Sequence, residues 1–190
     1  MKKKSHMLLG KYLTDNLQGF PTRSYERAFL FGCVEPDYNV FTFLKGSLRE
    51  SMFCGHNFKN AERLILRTAE RLQQRKHWWI LEYYRLGKLI HYLSDAFTSP
   101  HNDSYSIADH ALYEIRLHSY LAKCIAGSSG MPQKCIGESV VEYILTTHQQ
   151  YINALKSPNT DVQYILDTTG MVFSLLLPEE EILVGSQVAL

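Results

Sequence analysis

The chain has 190 residues, 45% of them hydrophobic, with 12 Tyr and 9 Phe and a formal net charge of +1. That length suits one domain with a sizeable core, and the balanced charge gives no electrostatic case for a stable nucleic-acid partner. The four cysteines, Cys33, Cys54, Cys124 and Cys135, form no C-x-x-C pair, so neither a zinc ribbon nor a redox motif is expected.

Met1-Lys2-Lys3-Lys4 offers the basic start of an export signal, but the apolar run Met7-Leu8-Leu9 stops at Gly10-Lys11, too soon for one. No stretch approaches the roughly 18 apolar residues of a membrane span. The expectation is a cytoplasmic protein with reduced thiols and at most peripheral membrane contact. From Ser5, apolar residues at 8, 9, 12, 13, 17 and 20 trace a helical stripe, with Ser5 as N-cap and Gly19 as stop. His6 lies in the first turn near the face of Leu9 and Leu13, and both an inward and an exposed setting are open. Thr22 caps a short helix to about Phe31. From Gly32 to Asn57 there is no clear period, though Leu44 to Met52 has room for a helical turn or two. Such a stretch in a small domain is either functional or a hidden element. Taken alone, Asp37 reads as a turn residue after Pro36, and His56 as a loop residue without a role. Asn60 caps the next helix, with Ala61, Leu64, Ile65, Ala69 and Leu72 inward and Arg63, Arg67 and Arg71 outward.

The strongest signal lies between Trp78 and His118. Apolar residues at 78, 81, 89, 93 and 97 fit a buried helix, and His91 and Asp95, four apart, leave one face a single turn from each other. Ser99-Pro100 ends that helix, and His101 follows in the loop. Ser106-Ile107-Ala108-Asp109 reads as a capping box. It opens a second helix that carries His110 and Glu114, again four apart, and runs to about Ala126. Five potential metal ligands thus fall within 24 residues. A single His-x-x-x-Asp is usually a polar pair, but two such pairs joined by a further histidine point to metal. Imidazole with carboxylate suits zinc, whereas magnesium or calcium would want more oxygen.

Gly127 to Pro132 reads as a loop. A helix from about Lys134 aligns Val140, Val141, Ile144, Leu145, His148, Tyr151, Ile152 and Leu155, which makes His148 a core histidine rather than a ligand. Ser157-Pro158 is an N-cap followed by proline at the first helical position. The last helix turns Val162, Ile165, Leu166, Thr169, Val172, Phe173 and Leu176 to one side, Pro178 stops it, and 179–190 is expected to be a loose tail. With no period-two segment, repeat or second domain, the expectation is one all-α domain over 1–190, of six or seven helices.

The ligand order resembles the zinc-dependent phospholipase C family, the bacterial lecithinases and the catalytic domain of clostridial alpha-toxins. That family has a loop aspartate, a lone histidine, His-x-x-x-Asp, a loop histidine and His-x-x-x-Glu. Asp37, His56, His91 with Asp95, His101, and His110 with Glu114 follow in that order, and an early histidine on the first helix matches His6. The resemblance spans roughly residues 5–118. It implies an all-helical fold around two to three zinc ions: one on Asp37, His56, His91 and Asp95, a second on His101, His110 and Glu114. Asp95 would bridge to a third ion shared with His6 and the backbone of the first residue. The implied chemistry is attack of metal-bound hydroxide on the phosphorus of a phospholipid head group or small phosphodiester, with Asp37 orienting or deprotonating the water. The family's mature chains are secreted, longer and begin with tryptophan. Returning Met1 to the cluster would bring three lysines toward cations. A carbonyl near Ser5, or water, is therefore the expected substitute there, with a weaker third ion. Related secreted nucleases carry the same cluster, so a nuclease or 3′-nucleotidase-type phosphoesterase is the alternative, with Tyr83, Tyr84, Tyr92 and Tyr113 as stacking candidates. Outside enzymes, the alternative is a non-catalytic zinc-stabilised helical binding module.

Overall fold

The computed structural model describes residues 1–16, 20–38, 58–102, 106–127 and 139–177. Among them are eight α-helices and no strand: α1 (Lys3–Asn16), α2 (Arg23–Val34), α3 (Phe58–Gln73), α4 (Ile80–Ala96), α5 (Ser99–Asn102), α6 (Ile107–Gly127), α7 (Val140–Asn153) and α8 (Pro158–Leu176). A 3-10 turn, Glu35–Asp37, follows α2 directly. The fold is all-α, as expected. His56, Cys54, Cys135, Gly19 and the tail 179–190 lie outside the described residues.

α4 is the axis of the bundle, packed by α2, α3 and α8. Its first turn is half solvated, so Trp79, Ile80 and Leu81 are exposed, whereas every residue from Leu89 to Ala96 is buried. Leu81 therefore does not belong to the inward stripe on which its spacing placed it, and Trp78 enters the core ahead of the helix. Leu64, expected inward on α3, is likewise exposed, while Ala61, Ile65, Ala69 and Leu72 are buried. Around the first half of α4, Phe29, Tyr83 and Phe173 form the aromatic core, with Phe29 and Phe173 meeting edge to face at 5.2 Å. Each such ring contributes roughly 1.5–3 kcal/mol through burial.

Helix starts follow local chemistry. Ser157 Oγ accepts the Thr160 N–H at 3.1 Å ahead of Pro158, and Ser106 Oγ accepts the Asp109 N–H at 3.2 Å, each filling an otherwise orphaned donor. Two expected caps are corrected. Helix α1 begins at Lys3, so Ser5 is inside it, and its hydroxyl meets His118 Nδ1 at 3.0 Å. Asn60 is inside α3, which the structure begins at Phe58. α7 starts at Val140 behind Ser139 rather than near Lys134.

The largest correction concerns α2, which runs past Phe31 to Val34. Gly32 stays helical because it is where α2 crosses α4 at Gly87. A Cβ on Gly32 would overlap the Tyr84 carbonyl, and one on Gly87 would overlap the Phe29 carbonyl. Two glycines let the backbones touch, and this contact sets the depth of the site.

Candidate metal centre

The crossing brings the Cys33 carbonyl to His91, whose Nδ1 lies 2.9 Å from it. A carbonyl only accepts, so Nδ1 carries the proton and Nε2 presents its lone pair. That lone pair faces Asp95 Oδ2 at 3.4 Å and Asp37 Oδ1 at 3.8 Å. His91 and Asp95 are four apart on α4 and both are buried.

His6 joins them from α1. Its Nδ1 lies 3.1 Å from Ser94 Oγ, and Ser94 gives its one hydroxyl proton to the His91 carbonyl at 2.8 Å. Ser94 can then only accept from His6, which leaves His6 Nε2 unprotonated as well. This nitrogen is buried, makes no hydrogen bond among the described residues, and points to Asp95 Oδ1 at 3.3 Å. The two imidazoles stack at 3.9 Å with 22° between planes. Two lone pairs aimed at one carboxylate repel unless a cation stands among them. Charging both rings instead would set two stacked imidazolium ions together. The residues present therefore fit a metal ion, and nitrogen with carboxylate oxygen is a zinc-type donor set.

A second group is built where α4 ends. Thr98 Oγ1 donates to the Ser94 carbonyl at 2.8 Å, and Ser99 to Asn102 continues as the single turn α5 rather than as an irregular loop, correcting the setting expected for His101. His110 and Glu114 face it from α6, with His110 Nε2 3.5 Å and His101 Nε2 3.8 Å from Glu114 Oε1. His6, His91 and Asp95 form one group, and His101, His110 and Glu114 another, each with donor atoms within 4.8 Å of one another. Asp95 Oδ1 is also 3.6 Å from His101 Nε2, so one carboxylate borders both groups. Asp37, less buried, stands at the edge of the first.

Met1 returns to the cluster after all. It is buried, and its amino group bonds Asp95 Oδ1, lies 2.8 Å from His101 Nε2 and 3.5 Å from Glu114 Oε1. Burial opposes the charge on this ammonium, but Asp95 and Glu114 outweigh it, and its pKa is raised. The expected obstacle is removed because Lys3 and Lys4 are exposed. Lys3 Nζ sits over the Tyr38 ring, 3.6 Å from its centroid.

Sequence reasoning set Met1 aside in favour of a carbonyl near Ser5 or water, and it missed Ser94 and the Cys33 carbonyl. Ser94 had a signal, since it falls one residue before Asp95 on the same helix, but only the tertiary partner of its hydroxyl gives it a role. His148 is a core residue, as expected, stacked on Phe58 at 3.6 Å, and burial pushes its pKa down to about 4. The tyrosines considered as stacking platforms are engaged in packing: Tyr83 is fully buried, Tyr84 stacks on Phe31, Tyr92 meets the edge of His91, and Tyr113 donates to Asp161.

No helix among the described residues is long and apolar enough to cross a membrane. No curated protein and no solved structure matches the chain. The family profile described as zinc dependent phospholipase C matches residues 5–157, a span that takes in both histidine–carboxylate groups and most of the bundle that carries them. The chain belongs to the zinc-dependent phospholipase C family.

Proposed function

We propose that the chain hydrolyses a phosphodiester, in the manner of a phospholipase C, at zinc held by His6, His91 and Asp95 and by His101, His110 and Glu114. The observation that carries this reading is Asp95, whose two oxygens lie 3.3–3.6 Å from His6, His91 and His101 and so place two donor groups side by side. Neighbouring zinc ions, when bound, supply Lewis acidity toward phosphoryl oxygens and bring the pKa of water close to about 7. Among the described residues each group offers three donors, and a tetrahedral ion with three protein ligands keeps one position for water or substrate, the pattern of a catalytic rather than a structural site.

The chain's own residues do the rest. The Cys33 carbonyl and Ser94 fix the tautomers of His91 and His6, keeping both Nε2 lone pairs turned to the centre. Asp37, with its partly exposed side chain 3.8 Å from His91 Nε2, is placed to accept a proton from the attacking water. A phospholipid head group or a small phosphodiester is the substrate class. The test is hydrolysis by zinc-replete protein of an aryl phosphodiester, a short-chain phospholipid and a single-stranded oligonucleotide, each with His110→Ala as control. Turnover of the first two that disappears in the variant is expected. Turnover of the oligonucleotide alone would favour the nuclease alternative, and no turnover of any would favour a non-catalytic zinc protein.

A further inference from the structure

We infer that Asp161, on the first turn of α8 and beyond the span that the family profile matches, is the positioning residue of the second donor group. It is fully buried. Its Oδ2 accepts the Ser99 N–H at 2.7 Å and the Tyr113 hydroxyl at 2.9 Å. Its Oδ1 accepts the Ser99 hydroxyl at 2.9 Å and the Tyr151 hydroxyl at 2.9 Å. These donors occupy the roughly four acceptor positions that a carboxylate has.

The partners are the right ones for this role. Ser99 opens α5, two residues before His101, and Tyr113 lies on α6 between His110 and Glu114. One carboxylate therefore fastens both backbone segments that carry the three donors. Tyr151 ties the same point to α7. A buried carboxylate is costly to desolvate, and an apolar side chain would join α8 to the bundle without that cost. What an apolar side chain would not do is fix α5 against α6 in both distance and direction. Ligands are held in productive geometry by such outer bonds, and losing one typically weakens metal binding by about 10–100-fold.

The inference rests on the zinc reading above, and the experiment separates the two. Zinc affinity is measured by competition with a chromophoric chelator for wild type, Asp161→Asn and Tyr113→Phe, alongside thermal melts of the chelated proteins. In Asp161→Asn the amide nitrogen cannot accept, so half of the acceptor oxygen is lost and a donor faces other donors. One zinc is expected to weaken by about 10–100-fold while the other keeps wild-type affinity, and Tyr113→Phe should move the same zinc in the same direction by less. If the chelated melts fall but both zinc affinities match wild type, Asp161 only ties α8 to the bundle and the inference is overturned. Should Asp161→Asn fail to fold, Tyr113→Phe decides, since it removes one hydroxyl and keeps the ring. Wild type that binds no zinc would overturn the metal reading and this inference with it.

Discussion

Gly87→Ala tests the helix crossing on which the first donor group is built. The added Cβ would overlap the Phe29 carbonyl oxygen and come within 2.9 Å of Cys33 N and Gly32 Cα. All three atoms are backbone, so no change of rotamer relieves the overlap. α2 and α4 must part by about 1 Å to restore ordinary contact. Overpacking costs about 1–3 kcal/mol, and the upper end applies when main chain has to move. Alanine returns about 1 kcal/mol of helix preference, leaving a net loss of about 2 kcal/mol. For a chain of this size that is about 4–8 °C in Tm. Opening the crossing also stretches the 2.9 Å bond from His91 Nδ1 to the Cys33 carbonyl beyond hydrogen-bonding range. Zinc affinity at the first group should then fall by about tenfold or more. Melts of chelated protein and a zinc competition read the two effects separately. A chelated variant melting at or above wild type refutes the crossing argument, and a lowered Tm with unchanged zinc affinity refutes its link to His91.

Removing zinc with a chelator should lower Tm by about 8–16 °C against protein in free zinc at a thousandfold Kd, the equivalent of about 4 kcal/mol; coincident melts would make the metal peripheral. Asp37→Asn should lower kcat by about 10²–10⁴ with little loss of zinc, and elemental analysis beside the kinetics shows whether content falls as far as rate, the outcome that would make Asp37 a ligand instead. His148→Phe should flatten the loss of stability in acid. Wild-type His148 stays neutral down to about pH 4, whereas the unfolded chain takes up the proton near 6.5. Stability is thus fully present above 6.5 and declines as the pH falls toward 4, by about 3 kcal/mol at roughly 1.4 kcal/mol per pH unit. Denaturant titrations of both proteins between pH 7 and 4 giving parallel curves would remove His148 as the cause.

The bundle was legible because its helices carry apolar stripes and clear stops, and the donor pairs were legible because four-residue spacing is a property of one helix. His91 with Asp95, and His110 with Glu114, needed no tertiary knowledge. The convergence of His6, Asp95 and His101 did, since it depends on three elements meeting. Leu64 and Leu81 misled because periodicity assigns a face but not whether a neighbour covers it. The continuation of α2 through Gly32 was hidden for a related reason: a glycine that reads as a helix breaker is retained where another backbone occupies the space of its side chain. Asp161 drew no notice in the sequence, since an acid in a helix's first turn is common, and only its four hydrogen bonds distinguish it.

The bridging of the His6 imidazole to the His91 backbone carbonyl by one Ser94 hydroxyl has a consequence in time. His91, Ser94 and Asp95 belong to one helix, and His6 is locked to them by that hydroxyl, so this cradle is complete once α1 docks. An ion entering there meets atoms already in place and is captured at the pace of its own arrival. His101 comes from α5 and His110 with Glu114 from α6, and all three are only half buried, so water reaches this second group directly. An ion held there would exchange with the surrounding water sooner than one in the cradle, and falling zinc would empty the second position first.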